Sequence, residues 1–408
     1  MSSDRGCRCH SFISRYFSYI DRSSHLQVRE AVIVEAVRTP IGKRNGSLSG
    51  IHPVDLSALV LRELVQRSGI DPGTIDDVMW GCVTQLGDQS SNVGRFATLA
   101  AGWPESVPAA TINRACGSGQ QAIESAAHAV MSGAYDIAVA GGVESMSRVP
   151  LGATRASGFP YGQTVLDRFG VDGLDQGTGA EMIAEKWGLT RLILDEYASR
   201  SHRLTAAAID RGAFDSQLVG VDTLDAKLTV DEGVRRGTSP ETLAKLKPSF
   251  REDGVIHAGN ASQISDGAAG VLITTPEKAR QLGLTPIVRI LAGSVVGADP
   301  VMMLTAPIPA TQRVLARTGL TIGDIGAIEI NEAFAPVPLA WQIELGADPE
   351  RVNPLGGAIS VGHPLGASGA ILTTRLINHM RDRGLRYGLQ TICEGGGTAN
   401  ATIYELVD

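Results

Sequence analysis

The chain has 408 residues, 43% of them hydrophobic and 48 of them glycine, enough to bury a large core across two or three compact units. Its formal net charge of -7 argues against a nucleic-acid partner, and no apolar run reaches the about 20 residues that cross a bilayer. Five cysteines in so long a chain are no disulfide framework and point to a reducing compartment, which we take to be the cytoplasm.

Residues 1–30 stand apart. Arg5, Arg8, Arg15, Arg22 and Arg29 are scattered among serines, and Phe12, Ile13, Tyr16, Phe17 and Ile20 recur at helical spacing. The composition is that of a mitochondrial presequence, from which Asp4 and Asp21 depart; the mitochondrial matrix is therefore the alternative location. We read the segment as a disordered extension that catalysis does not need. Its Cys7-Arg8-Cys9-His10 run offers three donors without a partner cluster, so no metal is implied.

The β-branched run Ala31-Val32-Ile33-Val34-Glu35-Ala36 predicts a strand that ends at Thr39-Pro40-Ile41-Gly42. A helix is expected from about Pro53 to Arg67, with Leu56, Leu59, Val60 and Leu64 on one face. A second strand ends at Trp80-Gly81. Next comes Thr111-Ile112-Asn113-Arg114-Ala115-Cys116-Gly117-Ser118-Gly119-Gln120-Gln121-Ala122, a strand end, a small-residue corner and a helix carrying Ile123, Ala126, Ala127 and Val130. A thiol at a helix N-terminus meets free N–H groups and the positive end of the dipole, so Cys116 is expected to be more acidic than free cysteine. The flanking Gly117 and Gly119 are expected to let a substrate carbonyl approach the backbone.

Residues 146–264 are too many for a bare loop and predict an inserted subdomain, with a helix over Ile193 to Arg211. Beyond it the chain repeats itself. Arg67-Ser68-Gly69-Ile70 returns as Arg317-Thr318-Gly319-Leu320, an offset of 250 residues that also carries Ser118-Gly119 to Ser368-Gly369. Tyr135-Asp136-Ile137 returns as Tyr387-Gly388-Leu389 at an offset of 252. Ordered matches at one spacing indicate a duplicated α/β unit. The expected layout is one half over 31–145 plus about 265–285, the insertion, and a second half over 286–408.

Duplication brings several strand ends to one edge, where sites of repeated α/β units gather. It aligns the Cys116 corner with Gly362-His363-Pro364-Leu365-Gly366-Ala367-Ser368-Gly369, the Gly141-Gly142 turn with Cys393-Glu394-Gly395-Gly396-Gly397, and Trp80-Gly81 with Ile330-Asn331-Glu332-Ala333-Phe334. Two thiols, an imidazole and a carboxamide are thereby expected together.

These four motifs, in this order, resemble those of the thiolases, the acetyl-CoA acetyltransferases and 3-ketoacyl-CoA thiolases, from about Ala31 to the C-terminus. The Glu394-Gly395-Gly396-Gly397-Thr398-Ala399-Asn400 ending is most similar to actinobacterial degradative members, some of which act in steroid breakdown. The resemblance implies a layered α-β-α-β-α fold of two duplicated halves. It implies Cys116 as the acylated nucleophile, and His363 taking its proton while turning its other face to the thioester oxygen. Asn331 would hold a water at that oxyanion site. The N–H groups of Cys116 and Gly395 would form a second oxyanion hole, and Cys393 would act as acid and base. Ser262, Arg235 and Thr242 would contact coenzyme A, a substrate and not a resident cofactor, while Met303 and Phe334 would line the thioester pocket. A homodimer or homotetramer acting on acyl-CoA and CoA is expected, in fatty-acid or steroid degradation or, alternatively, in acetoacetyl-CoA formation.

Two rival readings remain open on the residues. Gly117-Ser118-Gly119-Gln120-Gln121-Ala122 fits the G-x-G-x-x-A fingerprint of dinucleotide binding. A condensing ketoacyl synthase shares the nucleophile corner but usually has a histidine where this chain has Cys393.

Overall fold

The computed structural model describes residues 29–407. The Cys7-Arg8-Cys9-His10 run, and the presequence reading of the segment around it, lie outside the described residues. The chain is already tied down at its first described positions: Arg29 bonds Asp136 at 2.7 Å and Glu30 bonds Arg289 at 2.6 Å.

Each half builds a sheet with the same pairing pattern. In the first, Asp77–Gly81 lies parallel to both Ala109–Ile112 and Ile137–Ser145. Ser265–Thr274 and then Val32–Arg38 continue it antiparallel. In the second, Ala327–Ile330 lies parallel to Tyr387–Glu394, and Thr398–Leu406 and Val288–Gly297 follow antiparallel. A lone parallel bridge, Ile328 to Val352, stands where the first half has Ala109–Ile112. The sheets meet edge to edge through two residue pairs, Val32 with Arg289 and Ile33 with Val288.

Helices Ser118–Ser132 and Leu365–Arg383 pack on each other between the sheets, while Pro53–Ser68, Val93–Ala100, Pro307–Thr318 and Pro336–Leu345 cover the outside. This is the expected five-layer arrangement. The first helix shows how local chemistry sets the boundaries. His52 caps it by accepting from the Val54 N–H, Pro53 opens it, and Gly69 at φ 70° closes it in the left-handed region. Leu56, Val60, Leu61 and Leu64 form its buried face; Leu59, expected there, is only half-buried. Leu365–Arg383 has no comparable polar side, because it is buried from Leu365 through Asn378.

Between Ser145 and Ser265 run the helices Gln163–Phe169, Gln176–Lys186, Arg191–Asp210 and Pro240–Leu243, with a ribbon pairing Val221–Asp222 and Lys227–Leu228. The long helix starts two residues before its expected origin because Thr190 accepts from the Ile193 N–H and caps it there. Its buried residues join Met303, Phe334 and Cys393 in one apolar cluster, so the insertion shares a core with the duplicated halves. Among the described residues no helix is long and apolar enough to cross a membrane.

Candidate active site

Cys116 sits in a tight corner between Ala109–Ile112 and the helix that begins at Ser118. Ala115 is held at φ 44°, a left-handed conformation costing an L-residue ~1–2 kcal/mol. Side chains on both flanks maintain it: Asn113 Oδ1 accepts from the Ala115 N–H, and Ser118 Oγ accepts from the Arg114 N–H and donates to the Ala115 carbonyl. The backbone N–H groups of Cys116 itself and of Gly395 favour a charge on the Cys116 sulfur.

The expectation of an acidic thiol is overturned. Cys116 is 6% exposed, and burial, reinforced by the nearby Glu394 and then Glu144 carboxylates, pushes its pKa up to about 12 despite those two N–H groups. The dipole of a helix end reaches only its first turn, and loss of water outweighs it here. Cys393 is held well above the usual thiol range by burial, by Cys116 and by Glu394. Cys393 thus feels the other thiol.

His363 lies in the loop before Leu365–Arg383, its N–H donating to Ser265 Oγ at 2.7 Å. Its Nδ1 is 2.5 Å from Ser368 Oγ. The single Ser368 hydroxyl proton goes to the Pro364 carbonyl at 2.8 Å, so Nδ1 carries the hydrogen and Nε2 is bare. Burial lowers the His363 pKa to about 4, which keeps the ring neutral. The Asn331 amide donates toward Nε2 at 3.4 Å, while its buried Oδ1 has no protein partner among the described residues. Because Ser368 occupies Nδ1, that face cannot turn to a thioester oxygen, and both jobs expected of the ring fall to Nε2.

The remaining expected residues divide into two groups. Met303 and Phe334 are buried beside Cys393. Arg235 and Thr242 line a cavity of about 420 Å³ together with His202, Leu243, Leu246 and Gly259. Ser262 lies with the first group, its N–H donating to the carbonyl of Ala333, the neighbour of Phe334. Arg236 is paired with Asp210 at 2.6 Å and so differs from its neighbour Arg235.

The sequence reading missed what holds these groups. Glu144 accepts from the N–H groups of Val83, Thr84 and Gly366 and from Gln89, clamping the start of the His363 helix to the first half. Glu332 accepts from Tyr197, Ser201, Asn353 and the Ile359 N–H, fixing the residue next to Asn331. Gln263 bonds the carbonyls of Gly233, Ile359 and Ser360, and its own carbonyl takes the His363 N–H. A buried acid flanking a motif residue, as Glu332 flanks Asn331, was the only sequence signal for any of these.

The corner glycines also serve a different purpose from the one expected. The Glu394 carboxyl fills the space that a Cβ on Gly117 would need, and Gly119 abuts the backbone of Gly366 and Ala370. The side of each glycine that lacks a Cβ is thus filled by protein, not left for a substrate carbonyl or a pyrophosphate.

Comparison with known proteins agrees with this geometry. The thiolase N-terminal domain family matches residues 31–277 and the thiolase C-terminal domain family matches residues 284–406. A steroid 3-ketoacyl-CoA thiolase of Mycobacterium tuberculosis is 50% identical over 384 residues, spanning 92% of this chain and 94% of its own. A 3-ketoacyl-CoA thiolase of Bacillus subtilis is 41% identical over 93% of this chain and 100% of its own. The crystal structure of the Bacillus anthracis acetyl-CoA acetyltransferase superposes with a TM-score of 0.85 at 40% identity, over 93% of this chain and 99% of that one. Matched along both duplicated halves, in sequence and in fold, the chain belongs to the thiolase family.

Proposed function

We propose that this protein is a degradative thiolase that cleaves 3-ketoacyl-CoA with CoA, giving acetyl-CoA and a shortened acyl-CoA. The observation that carries the reading is the His363 ring, with Nδ1 committed to Ser368 and a bare Nε2 beside the Asn331 amide. Cys116 attacks the 3-keto carbon, and its proton passes to the bare Nε2 of His363. The protonated Nε2 then faces an oxygen with the Asn331 amide beside it. The bond between C2 and C3 breaks, and Cys393 protonates the carbanion of the departing acetyl-CoA. In the acyl-enzyme the carbonyl oxygen takes the place beside the two N–H groups, each such donor being worth ~3 kcal/mol. The Cys393 thiolate finally deprotonates an incoming CoA, whose sulfur releases the acyl group.

The neutral ground state supports this order. With Cys116 pushed up to about 12 and His363 down to about 4, burial favours the neutral thiol and imidazole in the free protein, and the proton moves in the step that follows substrate arrival. CoA enters along the cavity lined by Arg235 and Thr242, with Ser262 on the pantetheine and Met303 and Phe334 around the thioester. The protein works as a homo-oligomer, a reading supported by the half-buried edge strand Ala109–Ile112 and by Phe96 and Leu99, exposed on the helix beside it.

The test has two parts. CoA-dependent cleavage is measured across 3-ketoacyl-CoAs from acetoacetyl-CoA to bulky ring-derived thioesters, and an acyl group delivered by acetyl-CoA is mapped by mass spectrometry. Cleavage with label on Cys116 is expected. Label on Cys82 or Cys393 with none on Cys116 would sink the mechanism.

A further inference from the structure

Glu394 is used by none of the steps above, yet it packs against the corner that holds the nucleophile. It follows Cys393, precedes the oxyanion donor Gly395, and lays its carboxyl against Gly117, the residue after Cys116. The side chain is 0% exposed. Oε2 accepts from the Thr398 hydroxyl, whereas Oε1 has no hydrogen-bond partner among the described residues. An ionised carboxylate with one oxygen buried and unpaired is costly, and a protonated one much less so.

The charged groups facing it come from each neighbouring element. Arg114, from the stretch leading into the Cys116 corner, favours its charge; Glu124, from the helix Ser118–Ser132, opposes it. Cys116 and Cys393 both feel the carboxylate, and Cys116 feels Glu144 as well. Burial and Glu124 outweigh Thr398, Arg114 and the Asn400 N–H, and the Glu394 pKa rises to about 7.

We infer that Glu394 is a positioning residue for the nucleophile: uncharged, it packs over Gly117 and permits the Cys116 thiolate, and charged, it opposes that thiolate. The inference rests on the reading of Cys116 as the nucleophile. It makes thiol reactivity depend on the protonation of a second group that never touches substrate.

The test is the pH dependence of Cys116 alkylation by iodoacetamide in the intact protein, with the modified cysteine identified by mass spectrometry. In the wild type the rise of rate with pH should flatten as Glu394 ionises near neutrality. Glu394→Gln keeps the shape without the charge, and its alkylation midpoint should fall by about one pH unit, giving about tenfold more thiolate at pH 8. Thr398→Val removes a donor that stabilises the carboxylate, keeps Glu394 neutral to higher pH, and should also speed alkylation at pH 8. Alkylation of Cys116 with the same midpoint in all three proteins overturns the inference and leaves the nucleophile assignment intact. Alkylation of Cys393 or Cys82 with none at Cys116 overturns both.

Discussion

The side chains proposed to react are set by what they lack as much as by what they touch. Two backbone N–H groups favour the Cys116 thiolate, yet desolvation and two nearby carboxylates outweigh them and hold the thiol's pKa up. His363 has one nitrogen committed to Ser368 and the other bare, so it can act as a base in one direction only. This separates the roles of the two residues experimentally. Cys393→Ala should lower overall turnover ~100- to 10,000-fold, the usual worth of a general acid–base group, while still accepting an acyl group slowly. His363→Ala should barely form the acyl-enzyme at all. Rapid-quench measurement of acyl-enzyme distinguishes the two; equal accumulation in both variants would show that the acid–base roles are misassigned.

The two buried helices do more than fill the layer between the sheets. Their N-terminal ends meet at Gly119, Gly366 and Gly369, where backbone lies against backbone, and that contact sets the Cys116 corner beside the His363 loop. A Cβ on Gly119 would stand 2.8 Å from the Gly366 oxygen and 2.9 Å from the Ala370 nitrogen, atoms that cannot move independently of their helix. Gly119→Ala favours helix by propensity but should nevertheless destabilise the fold by about 2–3 kcal/mol, the cost of overpacking. It should also slow acylation by shifting the corner. A thermal melt and a single-turnover assay check both; unchanged values would mean that the helices can separate freely.

Across the chain, the proposed site draws unequally on the two repeated halves. Cys116 lies in the first, and His363, Asn331, Cys393 and Gly395 lie in the second. Burying that much polar chemistry leaves opposed titrations in the core. Burial lowers His202, His363 and His379 to about 4, so their contribution to stability is lost as pH falls from 6.5 toward 4. Burial raises Glu124, Glu329 and Glu394 to about 7, so their contribution, full below 4.5, is lost as pH rises through 7. The two slopes offset one another between pH 4.5 and 6.5. Glu124→Gln removes one descending contribution, worth at most about 1.4 kcal/mol per pH unit. Stability should therefore climb more steeply with pH than in the wild type over 4.5–7, as read from denaturant midpoints at several pH values. Parallel curves would show that Glu124 is ionised throughout.

Periodicity, glycine corners and the 250-residue offset were enough to reveal the repeated α/β architecture and the four motifs, since strand, turn and helix preferences are local and duplication copies them in order. The helix Pro53–Ser68 was legible to within a residue because its cap, its proline and its closing glycine are all neighbours in the chain. The acidity of Cys116 was not legible. The helix end that favours its thiolate is local, but Glu394, Glu144 and the surrounding core that suppress it arrive from 278 residues downstream, from 28 downstream, and from both halves at once. The same holds for Gly117 and Gly119, whose open backbones look available until Glu394 and the His363 helix are packed against them. Local geometry follows from short-range sterics and hydrogen bonds, whereas a pKa or a free volume is a sum over everything brought near, and folding alone decides what that is.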